Sequence, residues 1–189
     1  EIVKKNRPAL VVELGSGVST LVTAKSGARK VISIDNSEDF GGRTRDLLKE
    51  HKVRGVEIRI APLRPYANGS EWYDVSTLKD LKKIDLLIVD GPPGSKNPEA
   101  RYPALKEFKD KLSAKAIVII DDVISAGTSV RESVDLIVRA GAKPCAVLIA
   151  LDRMEKSGDA LRVGQYSAVQ SVGQEFGLPV IAINLLPLS

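Results

Sequence analysis

Acidic and glycine residues follow the first two apolar runs of the chain in a pattern that suits a nucleoside. The first run ends Val-Glu-Leu-Gly-Ser-Gly, so that Glu13 precedes a turn made of Gly15, Ser16 and Gly17. Glycines suit a tight turn whose backbone lies close to a ligand. The second run ends at Asp35, whose carboxylate can accept hydrogen bonds from both hydroxyls of a ribose. The alternative is an ordinary strand–turn–helix without a ligand.

A second chemical cluster follows the fifth apolar run. The sequence reads Ile-Ile-Asp-Asp-Val-Ile-Ser-Ala-Gly-Thr-Ser, which is a strand, two acids and a loop of small residues leading into a helix. Backbone N–H groups and the dipole at a helix start favour a phosphate. The two carboxylates can hold ribose hydroxyls directly or through Mg²⁺. The predicted phosphoribosyl-binding residues are Asp121, Asp122, Ser125, Ala126, Gly127, Thr128 and Ser129.

The acids that end two apolar runs also suggest a metal site. Asp90 follows the fourth run, while Asp121 and Asp122 follow the fifth. If the two strands are neighbours, the acids meet at one edge of the sheet, where crowded carboxylates require a cation or a proton. A weak, hydrated Mg²⁺ or Mn²⁺ site is therefore a hypothesis, because hard cations choose oxygen ligands. In the alternative, these acids cap helices or pair with Arg131 or Lys96.

Short apolar runs recur along the chain and barely alternate with polar residues. Such runs are typical of strands buried on both faces, as in a parallel sheet covered by helices. The sequence therefore predicts the α/β class: a single doubly wound, Rossmann-like three-layer sandwich of about seven mostly parallel strands. The runs are Ala9–Leu14, Lys30–Ile34, Val56–Ile60, Ile84–Val89, Ala116–Ile120, Cys145–Leu151 and Val180–Ile183.

Patterns between the runs predict helices and loops. The segment Thr128–Ala140 has apolar residues at helical spacing, and Gly141 is a typical helix stop. Its apolar face consists of Val130, Val134, Ile137 and Val138. Two polar segments, Leu63–Val75 and Met154–Gln165, are expected to be long loops.

Composition narrows the classes of partner. The chain carries 28 basic and 24 acidic residues, with a net charge of +4, and the basic residues are spread along it. This distribution, without interleaved aromatic residues, argues against nucleic acid, and no apolar stretch is long enough for a membrane. The single cysteine, Cys145, is expected in a buried strand, in a reducing, cytoplasmic setting. Small molecules are the expected ligands, and the composition does not predict an oligomeric state.

Residues 1–120 resemble class I S-adenosylmethionine-dependent methyltransferases. The resemblance lies in Glu-Leu-Gly-Ser-Gly, in the strand end Ile34-Asp35, and in the fourth run, which ends Val-Asp-Gly-Pro-Pro. It implies S-adenosylmethionine as the cofactor. Glu13 and the glycine turn would face its methionine part, Asp35 its ribose, and the loop after Asp90 the methyl acceptor. The predicted cofactor-binding residues are Glu13, Gly15, Ser16, Gly17, Asp35 and Asp90.

Residues 116–189 resemble the carboxyl-terminal third of bacterial orotate phosphoribosyltransferases. The likeness begins with the phosphate loop described above. It continues through Arg131–Ser133, Ala150–Glu155, Ser167–Gln170 and Gly177–Ile181. In that family, the amino-terminal hood, a pyrophosphate loop and a mobile loop with a catalytic lysine all precede the phosphate loop. Here the methyltransferase-like segment fills that position, so the resemblance implies that phosphoribosyl transfer is lost.

The two resemblances together predict a single domain, residues 1–189, that joins parts of two families within residues 114–121. A strand common to both parents would preserve packing across such a junction. The leading hypothesis is an engineered fold chimera without a physiological reaction that keeps both partial ligand sites. The alternatives are a working S-adenosylmethionine-dependent methyltransferase and a phosphoribosyltransferase-like phosphate-binding module. No catalytic residue is assigned.

Overall fold

The computed structural model describes most of the chain in two compact units, Glu1–Asp121 and Asp122–Ser189. The prediction that both belong to one domain stays a prediction, and each unit is described by itself. The described residues are 1–66, 69, 71–93, 100–101, 103–120, 128–139, 141, 143–152, 156–159 and 162–185.

The first unit contains a parallel sheet of five strands and a separate antiparallel hairpin. Its elements are α1 (Ile2–Asn6), β1 (Leu10–Leu14), α2 (Val18–Lys25), β2 (Lys30–Asp35), α3 (Glu38–Glu50), β3 (Val56–Ile60), β4 (Leu63–Pro65), β5 (Glu71–Tyr73), β6 (Ile84–Val89), α4 (Pro103–Phe108) and β7 (Leu112–Ile120), with 3₁₀ turns at Val75–Leu78 and Lys109–Lys111. The sheet has the strand order β3-β2-β1-β6-β7, and all four strand pairs in it are parallel. The hairpin pairs β4 with β5.

Both faces of this sheet are buried, which explains why its strands do not alternate in sequence. On β1, Val12 and Leu14 lie in one apolar cluster, together with Phe108 of α4. Val11, the residue before Val12, lies in a second cluster with Val3 of α1. Because neighbouring residues of a strand point to opposite faces, helices cover both sides. The predicted α/β class, with a doubly wound and mostly parallel sheet, is confirmed.

The second unit is built around a parallel pair of strands. Val180 of the last strand is in register with Val147. The apolar face predicted on the first helix of this unit is confirmed in part. Val130 and Val134 are buried against Val147 and Phe176, whereas Val138 is 56% exposed, so its assignment to the buried face was wrong. The elements are α5 (Thr128–Arg139), β8 (Val147–Asp152), β9 (Lys156–Asp159), β10 (Arg162–Ser167), α6 (Ala168–Phe176) and β11 (Val180–Leu185).

All seven predicted strands are present in the described residues, five in the first unit and two in the second. Hydrogen bonds join five of them in the first unit, whereas β8 and β11 pair with each other in the second unit. The apolar stripe of α5 accounts for this second arrangement, since it packs on Val147 and Val180 and so gives the pair a small core of its own. The last strand is parallel to its partner, as expected.

Both segments predicted as long loops contain hairpins. The first holds β4 and β5, and the side chains of Trp72 and Tyr73 are only 0% and 1% exposed. The second holds β9 and β10, which pair antiparallel. Strands of three to six residues between polar neighbours carry too little periodicity to stand out in sequence. Cys145 is exposed and precedes β8, so its predicted burial in a strand was wrong.

Candidate functional site

The carboxyl ends of β1, β2 and β6 bring the predicted nucleoside-binding residues together. These strands are neighbours and parallel, and Leu14 is in register with both Ile34 and Val89. The turn after Leu14, the carboxylate of Asp35 and the residue Asp90 therefore share one edge of the sheet. In open parallel sheets, this edge is where ligands bind.

Glycine is required at the first position of the turn. Gly15 has φ +94°, and a Cβ atom there would lie 3.1 Å from the carbonyl oxygen of Asp90. The backbone on both sides is fixed, because Gly15 N donates to Ile34 O at 2.8 Å and Asp90 N donates to Leu14 O at 2.9 Å. A side chain at position 15 would therefore be strained and would push the two loops apart.

Asp35 is held toward the turn by three donors. Its Oδ2 atom accepts hydrogen bonds from the backbone N–H of Ser16 at 3.0 Å and from the Ser16 hydroxyl at 2.6 Å. Its Oδ1 atom accepts from Ser37 N at 2.9 Å. The side chain is nearly buried, with 6% exposure. The carboxylate is thus oriented toward the turn.

Glu13 lies beneath the turn and is completely buried. Its Oε2 atom accepts a hydrogen bond from Thr20 Oγ1 at 2.5 Å, and Thr20 Oγ1 in turn accepts one from Gly17 N at 3.1 Å. Glu13 is thereby linked through Thr20 to the second glycine of the turn. Thr20 is a residue that sequence reasoning missed, although a threonine three residues after a helix N-cap is a recognisable capping signal.

Burial raises the pKa of Glu13, and the nearby charge of Asp90 adds to this effect. Hydrogen bonds from Ser19, Thr20 and Ser33 oppose it. The Oε1 atom is buried without a hydrogen-bond partner among the described residues. Glu13 therefore occupies a costly position, since a buried carboxylate oxygen without a donor is penalised.

Asp90 and its neighbours form the other wall of this edge. The Arg101 guanidinium lies 3.4 Å from the Asp90 carboxylate. Tyr73, from the hairpin, places its hydroxyl where a Cβ atom on Gly91 would lie, so position 91 has room only for glycine. Burial raises the pKa of Tyr73 strongly, and the charges of Asp35 and Asp90 contribute. Sequence reasoning missed both Tyr73 and Arg101.

The predicted phosphoribosyl-binding segment is described only in part. Thr128 and Ser129 begin helix α5, as the phosphate-loop pattern requires. Asp121, Asp122, Ser125, Ala126 and Gly127 lie outside the described residues.

The Mg²⁺ hypothesis stays a prediction, since two of its three acids, Asp121 and Asp122, are among the residues not described. Within the described ranges, no group of three or more His, Cys, Asp or Glu residues could hold a metal ion. The alternative partner proposed for these acids, Arg131, contacts Glu175 at 2.6 Å. Lys96 is outside the described ranges. Across the part of the chain that the structure covers, no helix is both long and apolar enough to traverse a bilayer.

Comparison with curated proteins finds similarity to orotate phosphoribosyltransferases over a segment separate from the methyltransferase-like part. The chain is 76% identical over 67 residues to the enzyme of Polynucleobacter asymbioticus, which is 35% of this chain and 30% of that protein. It is 71% identical over 76 residues to the enzyme of Cupriavidus necator, which is 40% of this chain and 33% of that protein. The matched part is about a third of the length of these relatives.

Solved structures share the fold of the chain at low identity. An S-adenosylmethionine-dependent methyltransferase from Agrobacterium tumefaciens aligns with a TM-score of 0.55 and 16% identity, over 75% of this chain and 47% of that one. A precorrin-6y C5,15-methyltransferase from Geobacter metallireducens aligns with a TM-score of 0.53 and 16% identity, over 74% of this chain and 69% of that one. The family model described as a methyltransferase domain matches residues 12–123. Because this match spans more than half of the chain, the protein belongs to the methyltransferase-domain family.

Proposed function

We propose that the first unit binds S-adenosylmethionine or its demethylated product at the carboxyl edge of the sheet. The observation that carries this proposal is a contact between the ends of β1 and β2. Ser16, in the glycine turn after β1, donates hydrogen bonds to Asp35 at the end of β2. Gly15 gives the turn a surface without side chains, and Asp35 supplies acceptors for the ribose hydroxyls. Glu13 supports the turn from below through Thr20.

The capacity of Asp35 is compatible with this role. A carboxylate has about four lone-pair sites, and three of those of Asp35 are used by donors from Ser16 and Ser37. One further hydroxyl can therefore bind at Oδ1 without any change. A second requires that the Ser16 hydroxyl turn away from Oδ2. The match to the methyltransferase-domain model and the fold likeness to an S-adenosylmethionine-dependent methyltransferase support the same assignment.

We further propose that the chain is an engineered fusion of two enzyme families without a complete reaction of either. The support lies in the contrast between its parts. One segment is 76% identical to an orotate phosphoribosyltransferase over 67 residues, whereas the methyltransferase model occupies residues 12–123. The residues just before the phosphate loop thus belong to the other family, and the catalytic loop that phosphoribosyl transfer needs is replaced. A fold and a partial ligand site do not amount to an activity.

A second function, the binding of phosphoribosyl groups, is favoured by one specific observation. The chain is 76% identical to an orotate phosphoribosyltransferase over 67 residues. It also has a phosphate-loop sequence that leads into α5, which begins at Thr128. The N–H groups of a helix start bind phosphate without any catalytic machinery. We therefore expect phosphoribosyl pyrophosphate to bind this segment without being turned over.

Calorimetric titration of the full chain with S-adenosylhomocysteine tests the first proposal. We expect weak binding, and a loss of about 1–3 kcal/mol in the Asp35→Ala variant because the ribose hydrogen bonds disappear. Asp39→Ala is the matched control, since Asp39 is an exposed acid of the next helix. Absence of binding at millimolar ligand, or equal affinity in Asp35→Ala, would reject the proposal.

Two further assays distinguish a phosphoribosyl-binding module from a working methyltransferase. Binding of phosphoribosyl pyrophosphate that survives Asp35→Ala supports a second, independent phosphate site. Conversion of S-adenosylmethionine to S-adenosylhomocysteine in the presence of a small-molecule cell extract would instead favour a working methyltransferase.

A further inference from the structure

Three arginines lie at the amino-terminal edge of the first sheet, and none of them has an acidic partner among the residues that the structure describes. Arg7 precedes β1, Arg29 precedes β2, and Arg54 precedes β3. Backbone contacts hold these segments together: Arg29 N donates to Pro8 O at 3.2 Å, and a Cβ on Gly55 would lie 3.1 Å from the Arg29 carbonyl oxygen. This edge is opposite to the one that carries Asp35.

The lack of partners distinguishes these arginines from the others. Among the side chains that the structure describes, Arg43 lies over the ring of Phe40. The remaining arginines with a carboxylate within 3.9 Å are Arg45, Arg59, Arg64, Arg101, Arg131 and Arg139. In the described residues, Arg7, Arg29 and Arg54 have no such partner, so their charges are uncompensated.

A cavity of about 690 Å³ that is widely open to solvent lies between two of them, and Lys4, Arg7 and Arg29 around it are exposed. Its lining contains three cations and no acid; it consists of Lys4, Arg7, Ser26, Gly27 and Arg29. This volume is within the range of about 300–1,000 Å³ that small ligands occupy. The carboxylate of Asp85, at the same edge, is already engaged by Ala9 N at 2.9 Å and by Ser113 Oγ at 2.9 Å.

Helix ends alone do not account for so much positive charge. Helices α1 and α2 both end beside the cavity, and each carboxyl terminus carries about half a negative charge. Two such ends offset roughly one of the three positive charges of Lys4, Arg7 and Arg29, which line the cavity. The remaining excess favours an anion.

Arg7 occupies a backbone position at which glycine is usual. Arg7 is the residue that ends α1, and it adopts φ 44° and ψ 58°, in the left-handed region. Glycine usually takes this position, because other residues are strained there. An arginine at this point accepts the strain and directs a guanidinium to the cavity that it lines.

We propose that this cavity binds a phosphate group of a small, nucleotide-sized ligand. Guanidinium groups match phosphate oxygens in a bidentate manner, and Lys4 and the Ser26 hydroxyl supply further donors. The site is separate from the glycine turn and does not depend on the function proposed for that turn.

The test is calorimetric titration of the full chain with inorganic pyrophosphate and with adenosine 5′-diphosphate at low salt. The double variant Arg7→Gly/Arg29→Gln should bind pyrophosphate at least tenfold more weakly. It should remain folded, since glycine suits the left-handed position. Arg139→Gln removes one exposed charge elsewhere and should change the affinity less than twofold. If adenosine 5′-diphosphate binds more tightly than pyrophosphate, the ligand class is a nucleotide.

A variant of the predicted phosphate loop removes the main ambiguity. Thr128→Asp places a negative charge at the start of α5 and should repel an anion bound there. If pyrophosphate binding survives in the arginine double variant but is lost in Thr128→Asp, the anion occupies the loop and the proposal is wrong. Absence of binding at 10 mM pyrophosphate (about the weakest useful affinity) would also overturn it.

Discussion

The Ser16 hydroxyl donates a 2.6 Å hydrogen bond to Asp35 and lies 3.1 Å from the hydroxyl oxygen of Thr44. Thr44 Oγ1 is itself 3.0 Å from the carbonyl oxygen of Phe40, to which it donates. Ser16 has a single hydroxyl hydrogen and can direct it to only one acceptor. Thr44 is therefore an alternative acceptor, already in place, when a ribose claims the Asp35 oxygen.

This geometry predicts opposite effects for two substitutions on nucleoside binding. Ser16→Ala removes the internal competitor for Asp35 and should strengthen binding of S-adenosylhomocysteine. Thr44→Val removes the alternative acceptor, so that Ser16 has nowhere to turn, and should weaken it. Each change is expected to be about three- to tenfold, the value of one net hydrogen bond of about 0.5–1.5 kcal/mol. Calorimetry measures both.

The double variant makes this prediction specific. In the Ser16→Ala background there is no hydroxyl to relocate, so adding Thr44→Val should have no further effect on affinity. If Thr44→Val lowers the affinity equally in the parent and in the Ser16→Ala background, Thr44 acts through the packing of α3 and not through Ser16.

The contact between Gly91 and Tyr73 predicts a stability coupling. A Cβ on Gly91 would collide with the Tyr73 hydroxyl and would lie 3.3 Å from Gly15 N. Gly91→Ala should therefore destabilise the protein by about 1–3 kcal/mol, the usual cost of overpacking. Tyr73→Phe removes the colliding oxygen, and Gly91→Ala should cost less in that background. Urea denaturation of the four proteins measures the coupling, and equal costs in both backgrounds would contradict it.

Tyr73→Phe alone should be neutral or stabilising. The Tyr73 hydroxyl is buried and has no hydrogen-bond partner among the described residues. Its removal therefore leaves no donor or acceptor unpaired. A large loss of stability in this single variant would reveal a partner for the hydroxyl.

Buried Glu13 predicts a pH dependence of stability. Its pKa is raised in the folded protein, chiefly by burial. The folded state then binds the proton more tightly than the unfolded state, so stability falls as the pH rises from the ordinary glutamate pKa through the raised one. Glu13→Gln, which cannot ionise, should raise the free energy of unfolding at pH 8 by about 1 kcal/mol, and by less at pH 4.

Glu57→Gln is the control of opposite sign. The hydrogen bond from Arg59 lowers the pKa of Glu57, so its stabilisation is present above the ordinary glutamate pKa and is lost as the pH falls. This variant should therefore be less stable than the parent at pH 8, with the difference vanishing in acid. If Glu13→Gln behaves like Glu57→Gln, the burial argument fails.

The residues that the sequence predicts for the nucleoside site meet in the fold for a simple reason. Gly15, Asp35 and Asp90 each follow a buried strand, and parallel neighbours end at the same edge. What the spacing cannot show is which donors reach them. The contact of Ser16 with Asp35 depends on the shape of the turn, and Tyr73 arrives from a hairpin of three-residue strands.

The cluster of arginines at the amino-terminal edge of the first sheet is even harder to predict from the sequence. Arg7, Arg29 and Arg54 are spread along the sequence and look like ordinary surface charges. Only the parallel register of β1, β2 and β3 brings their positions to one edge. The absence of a carboxylate beside them, within the described residues, is likewise a property of the fold and not of the composition.

The second unit offers a comparison between packing and an exposed ion pair. Val134 is 8% exposed and lies in the small core formed with Val147 and Phe176. Arg131, three residues earlier on the same helix, contacts Glu175 through two nitrogens at 2.8 Å and 2.6 Å, but the two side chains are 43% and 41% exposed. Water screens such a pair, whereas removal of buried methyl groups loses both transfer energy and contacts.

We therefore expect Val134→Ala to destabilise the second unit by about 1–2 kcal/mol. Glu175→Gln should leave the urea midpoint almost unchanged, with a slight decrease at low salt that disappears at high salt. Urea denaturation followed by hydrogen exchange of the α5 amides measures the stability of this unit separately. If Glu175→Gln costs as much as Val134→Ala at high salt, the ion pair and not the small core stabilises α5.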